Sequence, residues 1–224
     1  MQTDNRARLA VVGSPSIWDY TGKEGLPRFV MNLVEIKENR DKIMFSLGSE
    51  DLIHWEHIGE KYAFGPDPRW YKEKGRWVGI SVVPASQGGY YGYWTASSKE
   101  GYDRLFGFGY SPDGTSWEML PPPQVNGLGP GAPREVGGAA LIDGKFYLLF
   151  GTSQGEMSVM VGDRPEGPFR VQEKNVRFLF GQTHFARFAS GTDQPLVVHH
   201  IMAPSGLDTQ PDCFLAPIKS VDVD

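Results

Sequence analysis

Between Pro27 and Phe45 the chain reads PRFVMNLVEIKENRDKIMF, two apolar runs on either side of Glu38–Asn39–Arg40–Asp41. The charge pattern alone would allow a short helix. The β-branched and aromatic content predicts instead two strands joined at that polar stretch. Strand-sized pieces of this kind recur in series. One group runs from SPSIWDY to DKIMFSLGSEDLIHWEHIG, and a second from DPRWYKEKGRWVGISVVP through YYGYWTASS to LFGFGYSPDGTSWEML. A third, more compact group is EVGGAALIDGKFYLLFGTSQGEMSVMVGDRPEGPFRVQ, and a fourth begins near THFARFASGTDQPLVVHHIMA.

The groups end alike. Ser49–Glu60 reads SEDLIHWEHIGE and Ser111–Pro122 reads SPDGTSWEMLPP, so Ser-x-Asp and Trp-Glu return together. Trp55 and Trp117 stand 62 residues apart, and Phe169 takes the equivalent place 52 residues further on. Four-stranded units at a period of roughly 40–50 residues, stretched by insertions, predict a β-propeller. In this reading each copy closes a blade. The Asp/Gly turn reverses the chain, and the aromatic ring packs between neighbouring sheets, which makes Trp55 and Trp117 core residues. In YYGYW (Tyr90–Trp94) alternate rings should face opposite sides of one strand. A ring on an open side could stack on a sugar, so Trp94 and Trp70 are candidate substrate-binding residues.

Composition agrees with many short strands and tight turns. The 224 residues hold 28 Gly and 17 Pro, spread along the whole chain rather than gathered in a linker, which favours one β-propeller domain over residues 1–224. A chain of this length can bury a core without staples. The net charge is −5 and Lys and Arg form no cluster, which argues against nucleic acid and anionic membranes as partners. Cys213 is the one cysteine, so neither an intrachain disulfide nor a Cys-x-x-Cys metal pair is available. No apolar run approaches the 18 residues of a membrane span, and MQTDNRARLAVVGSPS has no apolar segment of signal-peptide type. A cytoplasmic setting is expected. Gly127–Gly138 is glycine-rich but lacks the Lys-Ser/Thr of a phosphate loop, and Ser153 does not sit in a Gly-x-Ser-x-Gly elbow.

Three motifs in order carry a resemblance. SEDLIHWEHIG is similar to the blade ending of five-bladed β-propeller glycoside hydrolases, the superfamily of invertases and levanases (family 32) and arabinanases (family 43). GPDPRWYKEKGRWVG (Gly65–Gly79) resembles their Arg-Asp-Pro blade opening, and REVGGAALIDGKFYLLFGT (Arg134–Thr152) resembles the opening that carries an acidic catalytic residue. The resemblance implies five blades around a funnel and three carboxyl groups at the inner ends of the first strands. One Asp is nucleophile or base, a second Asp steadies the transition state, and a Glu is the general acid. Elementary chemistry asks for two of these. Glycosidic cleavage develops oxocarbenium character, so one carboxylate must face the ring while a protonated carboxyl feeds the leaving oxygen.

Carried over residue by residue, Asp67 of Asp-Pro matches the stabilising Asp, although Pro66 stands where the family has Arg. Glu135 matches the general acid, with Val136–Gly137–Gly138 leaving room for a ligand, and Arg134 would orient it or bind substrate hydroxyls. The first Asp is missing. Ser14 stands in its expected place, and Asp19, five residues on, is the candidate substitute nucleophile. By alignment of motifs this segment resembles the family's second blade, and four blade-like units are visible instead of five; a fragment, a blade supplied by another chain, or a protein that is not a standard hydrolase would each account for this. Open sheet edges recruit partners, so the expectation is either an associated chain that covers the gap, as in a homo-oligomer, or little glycosidase activity of the chain by itself. His184 and His199, in THFARF and VVHHIMA, are candidates for a sugar-binding wall. No cofactor is expected; a structural ion held by a funnel histidine is compatible with the family. The expected activity is hydrolysis of a fructoside, arabinofuranoside or related sugar. The alternative is a propeller that binds carbohydrate, or serves assembly, without catalysis.

Overall fold

The computed structural model describes residues 12–20, 25–36, 42–59, 62–99, 105–126, 135–151, 157–171, 183–189, 196–202, 213–215 and 217–220. No α-helix occurs among them. Four sheets follow one another along the chain, antiparallel apart from one short parallel pair. Blade 1 holds β1 (Val12–Asp19), β2 (Phe29–Ile36), β3 (Lys42–Ser49) and β4 (Glu56–His57). Blade 2 holds β5 (Trp77–Pro84), β6 (Tyr90–Ala96), β7 (Leu105–Ser111) and β8 (Glu118–Leu120). A short β9 (Val125–Asn126) then crosses to blade 3, which holds β10 (Glu135–Ile142), β11 (Lys145–Gly151), β12 (Met157–Gly162) and β13 (Phe169–Val171), and pairs in parallel with β13. Blade 4 holds β14 (Thr183–Ala189), β15 (Leu196–Met202), β16 (Cys213–Leu215) and β17 (Lys219–Ser220). The strands expected on either side of Glu38–Asp41 are β2 and β3, paired over their full length from Phe29↔Ser49 to Ile36↔Lys42. The chain is a β-propeller.

The first strands of the blades, β1, β5, β10 and β14, lie innermost. They share a device. Each carries a β-bulge after its opening residues: between Gly13 and Ser16, Val78 and Ser81, Val136 and Gly138, and Thr183 and Ala186. A bulge bends the strand and increases its twist, which suits strands that must converge on one axis. They also run the same way. The Val136 and Ala139 amides donate in order to the Thr95 and Ser81 hydroxyls, at the start and middle of the blade 2 inner hairpin. Tyr20, just past the end of β1, meets Tyr90, which pairs with the last residue of β5.

The core is three seams. Met44 of blade 1 packs on Tyr71, Trp77, Ile80, Val82 and Trp94 of blade 2. Tyr93, Phe106 and Phe108 of blade 2 pack on Val136, Leu148, Phe150 and Phe169 of blade 3. Leu149, Met157 and Val159 of blade 3 pack on Ala186 and Val197 of blade 4. Strand β6 is therefore covered on both faces, Tyr91 and Tyr93 toward blade 3, Tyr90 and Trp94 toward blade 1. Its alternation of rings is as expected, but neither side is left open for a ligand. Strand β7 answers it with Phe-Gly-Phe-Gly. Phe106 and Phe108 face blade 3, whereas Gly107 and Gly109 lie beneath the Trp94 indole.

The repeated Ser-x-Asp is one turn built twice, between the third and fourth strands of blades 1 and 2. In the first, the Ser49 hydroxyl donates to Asp51 Oδ1 (3.1 Å) and accepts from the Leu52 amide (2.9 Å), while Asp51 Oδ1 accepts from the Ile53 and His54 amides (both 2.8 Å). In the second, the Ser111 hydroxyl donates to Asp113 Oδ1 (3.0 Å) and accepts from the Gly114 amide (2.7 Å), and Asp113 Oδ1 accepts from the Thr115 and Ser116 amides (2.8 and 2.7 Å). Serine and aspartate thus satisfy the turn's backbone donors. Phe169, the third closer, is fully buried. Trp55 and Trp117 are only half-buried, which corrects the expectation that both are core residues. The turn does the closing, and the ring behind it is free to sit at the rim. Trp55 donates to the Leu52 carbonyl of its own turn (3.1 Å), whereas Trp117 lies against the blade 1–2 seam.

Two predictions follow from the paired turns. Position three after the serine is left-handed in both, with φ 84° at Gly114 but φ 65° at Leu52. A side chain there costs about 1–2 kcal/mol, and Leu52 is 49% exposed, so little packing is at stake. Leu52→Gly should raise the melting temperature, by the equivalent of about 0.5–1 kcal/mol after the added chain entropy of glycine is subtracted. Burial pushes the Asp113 carboxyl up, but the Ser116 and Thr115 amides and the Ser111 hydroxyl outweigh it and hold the group down at about 2. Its contribution is therefore present above about pH 4, the unfolded value, and is lost as pH falls through about 2. Urea midpoints of wild type and Asp113→Asn should differ at pH 6 and converge between pH 4 and pH 2.

Candidate active site at the inner-strand openings

The arginine that precedes β5 ties two blades together at the start of their inner strands. Arg76 forms an ion pair with Glu135, the first residue of β10. The Arg76 backbone is fixed from the second strand of its blade. Its N–H donates to the Ser97 hydroxyl (2.8 Å), and its carbonyl accepts from the Ser97 amide (3.1 Å). Glu135 pairs with Gly151 of β11, and the next amide, Val136, donates to the Thr95 hydroxyl of blade 2 (2.8 Å). The carboxylate is thus held at the blade 2–3 junction, with 17% of its side chain exposed, enough to be reached from solvent. Beyond it the bulge brings Gly137 and Gly138 against β14. A Cβ at Gly137 would stand 2.7 Å from the Ala186 carbonyl oxygen, so the inner strands of blades 3 and 4 approach this closely only because the position is glycine.

Two further cations stand nearby. The Lys42 ammonium donates to the carbonyl of Gly75, the residue before Arg76 (2.7 Å). Burial, and then the charge of Arg76, lower its pKa. Arg187 of β14 spans three inner strands. Its guanidinium donates to the Gly137 carbonyl of β10 and to the Ser16 hydroxyl of β1 (3.4 Å). Burial brings Arg187 down to about 10, so it stays charged at neutral pH.

The other candidates are dispersed. Asp67 lies before β5 rather than on it, in a turn whose carboxylate is taken by Arg69. It accepts from Arg69 Nη2 at 2.7 Å, from Nε at 3.0 Å and from the Arg69 amide at 2.8 Å. The side-chain bonds of Arg69, then its amide, lower the Asp67 pKa. The same segment reaches outward: Trp70 accepts from the Lys99 amide, and Tyr71 donates to the Leu120 carbonyl of the outermost strand (2.7 Å). Glu135 and Asp67 are therefore each held by a different arginine.

Asp19 is the last residue of β1 and Glu135 the first of β10. Because the inner strands run the same way, these two stand at opposite ends of the channel, an eight-residue strand or about 20 Å apart. Asp19 is exposed and faces Arg28 at 3.6 Å. The expectation that it joins Glu135 fails on strand direction alone.

Trp70 is half-buried, with the Arg69 guanidinium 5.9 Å from its ring centre. Trp94 has no exposed surface and cannot stack on a ligand, which corrects that assignment. His199, 5% exposed, is on the second strand of blade 4 with Val197 on the same face, which packs into the blade 3–4 seam. It is not part of an open sugar-binding wall. His184 falls at the β14 bulge, where the backbone alone is described. Arg134 lies outside the described residues. Among the described residues no group of three His, Cys, Asp or Glu side chains is arranged to hold a metal ion. Sequence reasoning missed Arg76 and Arg187. The signal for Arg76 was present: Arg76–Gly79 and Arg134–Gly137 read Arg-Trp-Val-Gly and Arg-Glu-Val-Gly, which marks two equivalent strand openings.

No family model and no curated protein matches the sequence. Solved structures do match in shape. A family-43 β-xylosidase/α-arabinofuranosidase from a compost metagenome, solved with xylotriose, superposes with a TM-score of 0.66 at 13% identity, over 95% of this chain and 71% of that one. The native arabinanase of Bacillus subtilis gives 0.62 at 11% identity, over 94% and 73%. The sucrose-6-phosphate hydrolase of Lactobacillus gasseri gives 0.67 at 12% identity, over 93% of this chain but 46% of that one. At these identities the likeness establishes the fold, a β-propeller of the kind that family 43 and sucrose-cleaving glycoside hydrolases adopt.

Proposed function

We propose that the chain acts on glycosidic bonds of a fructoside, arabinofuranoside or related sugar, with Glu135 as the acid/base group. The observation that carries this is the position of Glu135. It opens an inner strand at a blade junction, on a fold shared with glycoside hydrolases. Facing Arg76, Glu135 rests as a carboxylate. To feed the leaving oxygen, Glu135 must first take up a proton from water as a sugar oxygen separates it from Arg76. Arg76 remains within reach of the sugar hydroxyls.

A second reading rests on Asp19 and Asp67. One stands at the far end of the channel and the other is engaged by Arg69, so neither completes a carboxylate pair with Glu135 as it stands. This favours a propeller that binds carbohydrate without cleaving it. Aryl α-L-arabinofuranoside, aryl β-xyloside, sucrose and inulin separate the two readings. Hydrolysis of one of them by the wild type, reduced about 10²–10⁴-fold in Glu135→Gln, supports the enzyme. Absence of hydrolysis together with saturable binding supports the second reading. Hydrolysis unchanged in Glu135→Gln would show that the acid is another group.

A further inference from the structure

We infer that the seam between blades 1 and 2 carries a second sugar-binding site, separate from Glu135, in which a sugar ring stacks on Trp117. A cleft of about 320 Å³ opens there. One wall is Tyr62 and Phe64, the other Ser116, Trp117 and Glu118 at the entry to β8. The site lies against the third strand of blade 1 and the outermost strand of blade 2, whereas Glu135 opens the inner strand of blade 3.

Both walls are rigid before any ligand arrives. Phe64 exchanges two backbone hydrogen bonds with Met44 of β3 (2.9 and 2.8 Å), which pins the first wall to blade 1. The second wall is fixed by the Ser111–Asp113 turn, whose carboxylate takes the Thr115 and Ser116 amides. Trp117 is supported from beneath. A Cβ at Gly92 would stand 2.6 Å from Trp117 Cζ3, so the indole rests directly on the β6 backbone. Phe64 is in ring contact with it, 6.2 Å between centres and tilted by 44°, so a sugar ring stacks beside Phe64 and not between the two rings. Preorganised walls reduce the entropy lost on binding.

The chemistry of the lining selects the ligand. A half-buried indole supplies a flat apolar face, and Ser116 and Glu118, both exposed, supply a hydroxyl that bonds Asp113 and keeps its acceptor capacity, and a carboxylate acceptor, at its margin. A sugar ring presents the complement, a C–H face edged with hydroxyl groups. The volume is at the lower end of the about 300–1,000 Å³ span of small-ligand clefts, which suits one or two sugar units. Glu118 makes the cleft unfavourable for acidic sugars, so the ligand is a neutral oligosaccharide. The contrast with the first copy supports the assignment. Trp55 spends its N–H on the Leu52 carbonyl of its own turn, while Trp117 has been carried to a seam.

The inference rests on the reading that the chain handles carbohydrate, and the experiment separates the two. Xylohexaose, arabinohexaose and a fructo-oligosaccharide are titrated by calorimetry into the Glu135→Gln protein, alone and with Ser116→Arg, Ser116→Ala or Trp117→Ala added. Aryl glycoside hydrolysis is measured in the matching proteins with Glu135 intact. Ser116→Arg fills the cleft from an exposed position and keeps the Ser116 amide bond to Asp113, and Ser116→Ala, which loses the same hydroxyl bond to Asp113 without filling the cleft, controls for the turn, so the pair decides the matter even where Trp117→Ala fails to fold. The expected result is binding of one oligosaccharide that weakens at least 10-fold with Ser116→Arg, with aryl glycoside hydrolysis unchanged. Hydrolysis with no oligosaccharide binding, or with binding indifferent to Ser116→Arg, overturns the second site and leaves the enzyme reading standing. Binding lost with Ser116→Arg but no hydrolysis by any protein supports the site and overturns the enzyme.

Discussion

Replacing Gly107 by alanine is expected to destabilise the protein by about 1–3 kcal/mol, an overpacking cost, without changing its surface. Trp94 is the reason. Its indole has no exposed area and lies on β7, where a Cβ at Gly107 would overlap it and a Cβ at Gly109 would stand 2.9 Å from Cη2. The same ring meets Trp77 edge-on at 5.1 Å and Phe64 at 5.9 Å. Trp94→Ala should therefore cost about 3–5 kcal/mol, as large aromatic deletions do. The double variant is the informative one. With the indole gone, the Gly107→Ala methyl enters the cavity instead of a ring, so the two changes should couple favourably by about 1–3 kcal/mol. Urea unfolding of the four proteins measures this. Additive losses would mean that Gly107 is not placed under the ring.

The glycines of β7 also show what the sequence can reveal. Phe-Gly-Phe-Gly gives a period of two and hence a strand, and it places the two phenylalanines on one face. Nothing in those letters says that the glycine face is filled by a tryptophan from the neighbouring strand, because that contact depends on register. The repeated Ser-x-Asp was legible for a related reason: its hydrogen bonds are local, so each copy carries its whole structure in six residues. The tryptophan after it was misread because its burial depends on the next blade. At the site, Glu135 was legible as the start of an inner strand. Asp67 was misplaced because the chain spends another ten residues, including Tyr71 and its bond to Leu120, before the inner strand begins at Trp77. Asp19 was misplaced because the five residues that separate it from Ser14 lie extended in β1 and carry it to the far end of the channel.

These placements decide what the propeller can do. Three seams are filled by apolar clusters, and they hold blades 1 to 4 in a row. The contacts described between blade 4 and blade 1 are of another kind: they pass through Arg187. Any chemistry at the Glu135 end of the channel depends on inner strands that stay in place, and Arg187 touches three of them, as donor to Gly137 and Ser16 from β14.

Arg187→Met should accordingly destabilise the protein by about 2–4 kcal/mol. Hydrogen bonds from a charged group contribute about 1.5–3 kcal/mol each, and the relief of desolvating the guanidinium offsets part of the loss. Arg187→Lys keeps the charge but not the fork that reaches two acceptors, so it should recover less than half. Ser16→Ala removes one of the two bonds and should cost about 1 kcal/mol. The distribution of the loss is as diagnostic as its size. If Arg187 ties blade 4 to blade 1, hydrogen exchange in Arg187→Met should accelerate most in β14, β15 and β1, while the Tyr93–Phe106–Phe108 seam stays protected as a separate cooperative unit. A uniform rise across all four blades, or an unchanged urea midpoint, would show that the guanidinium is not what joins the first and last blades.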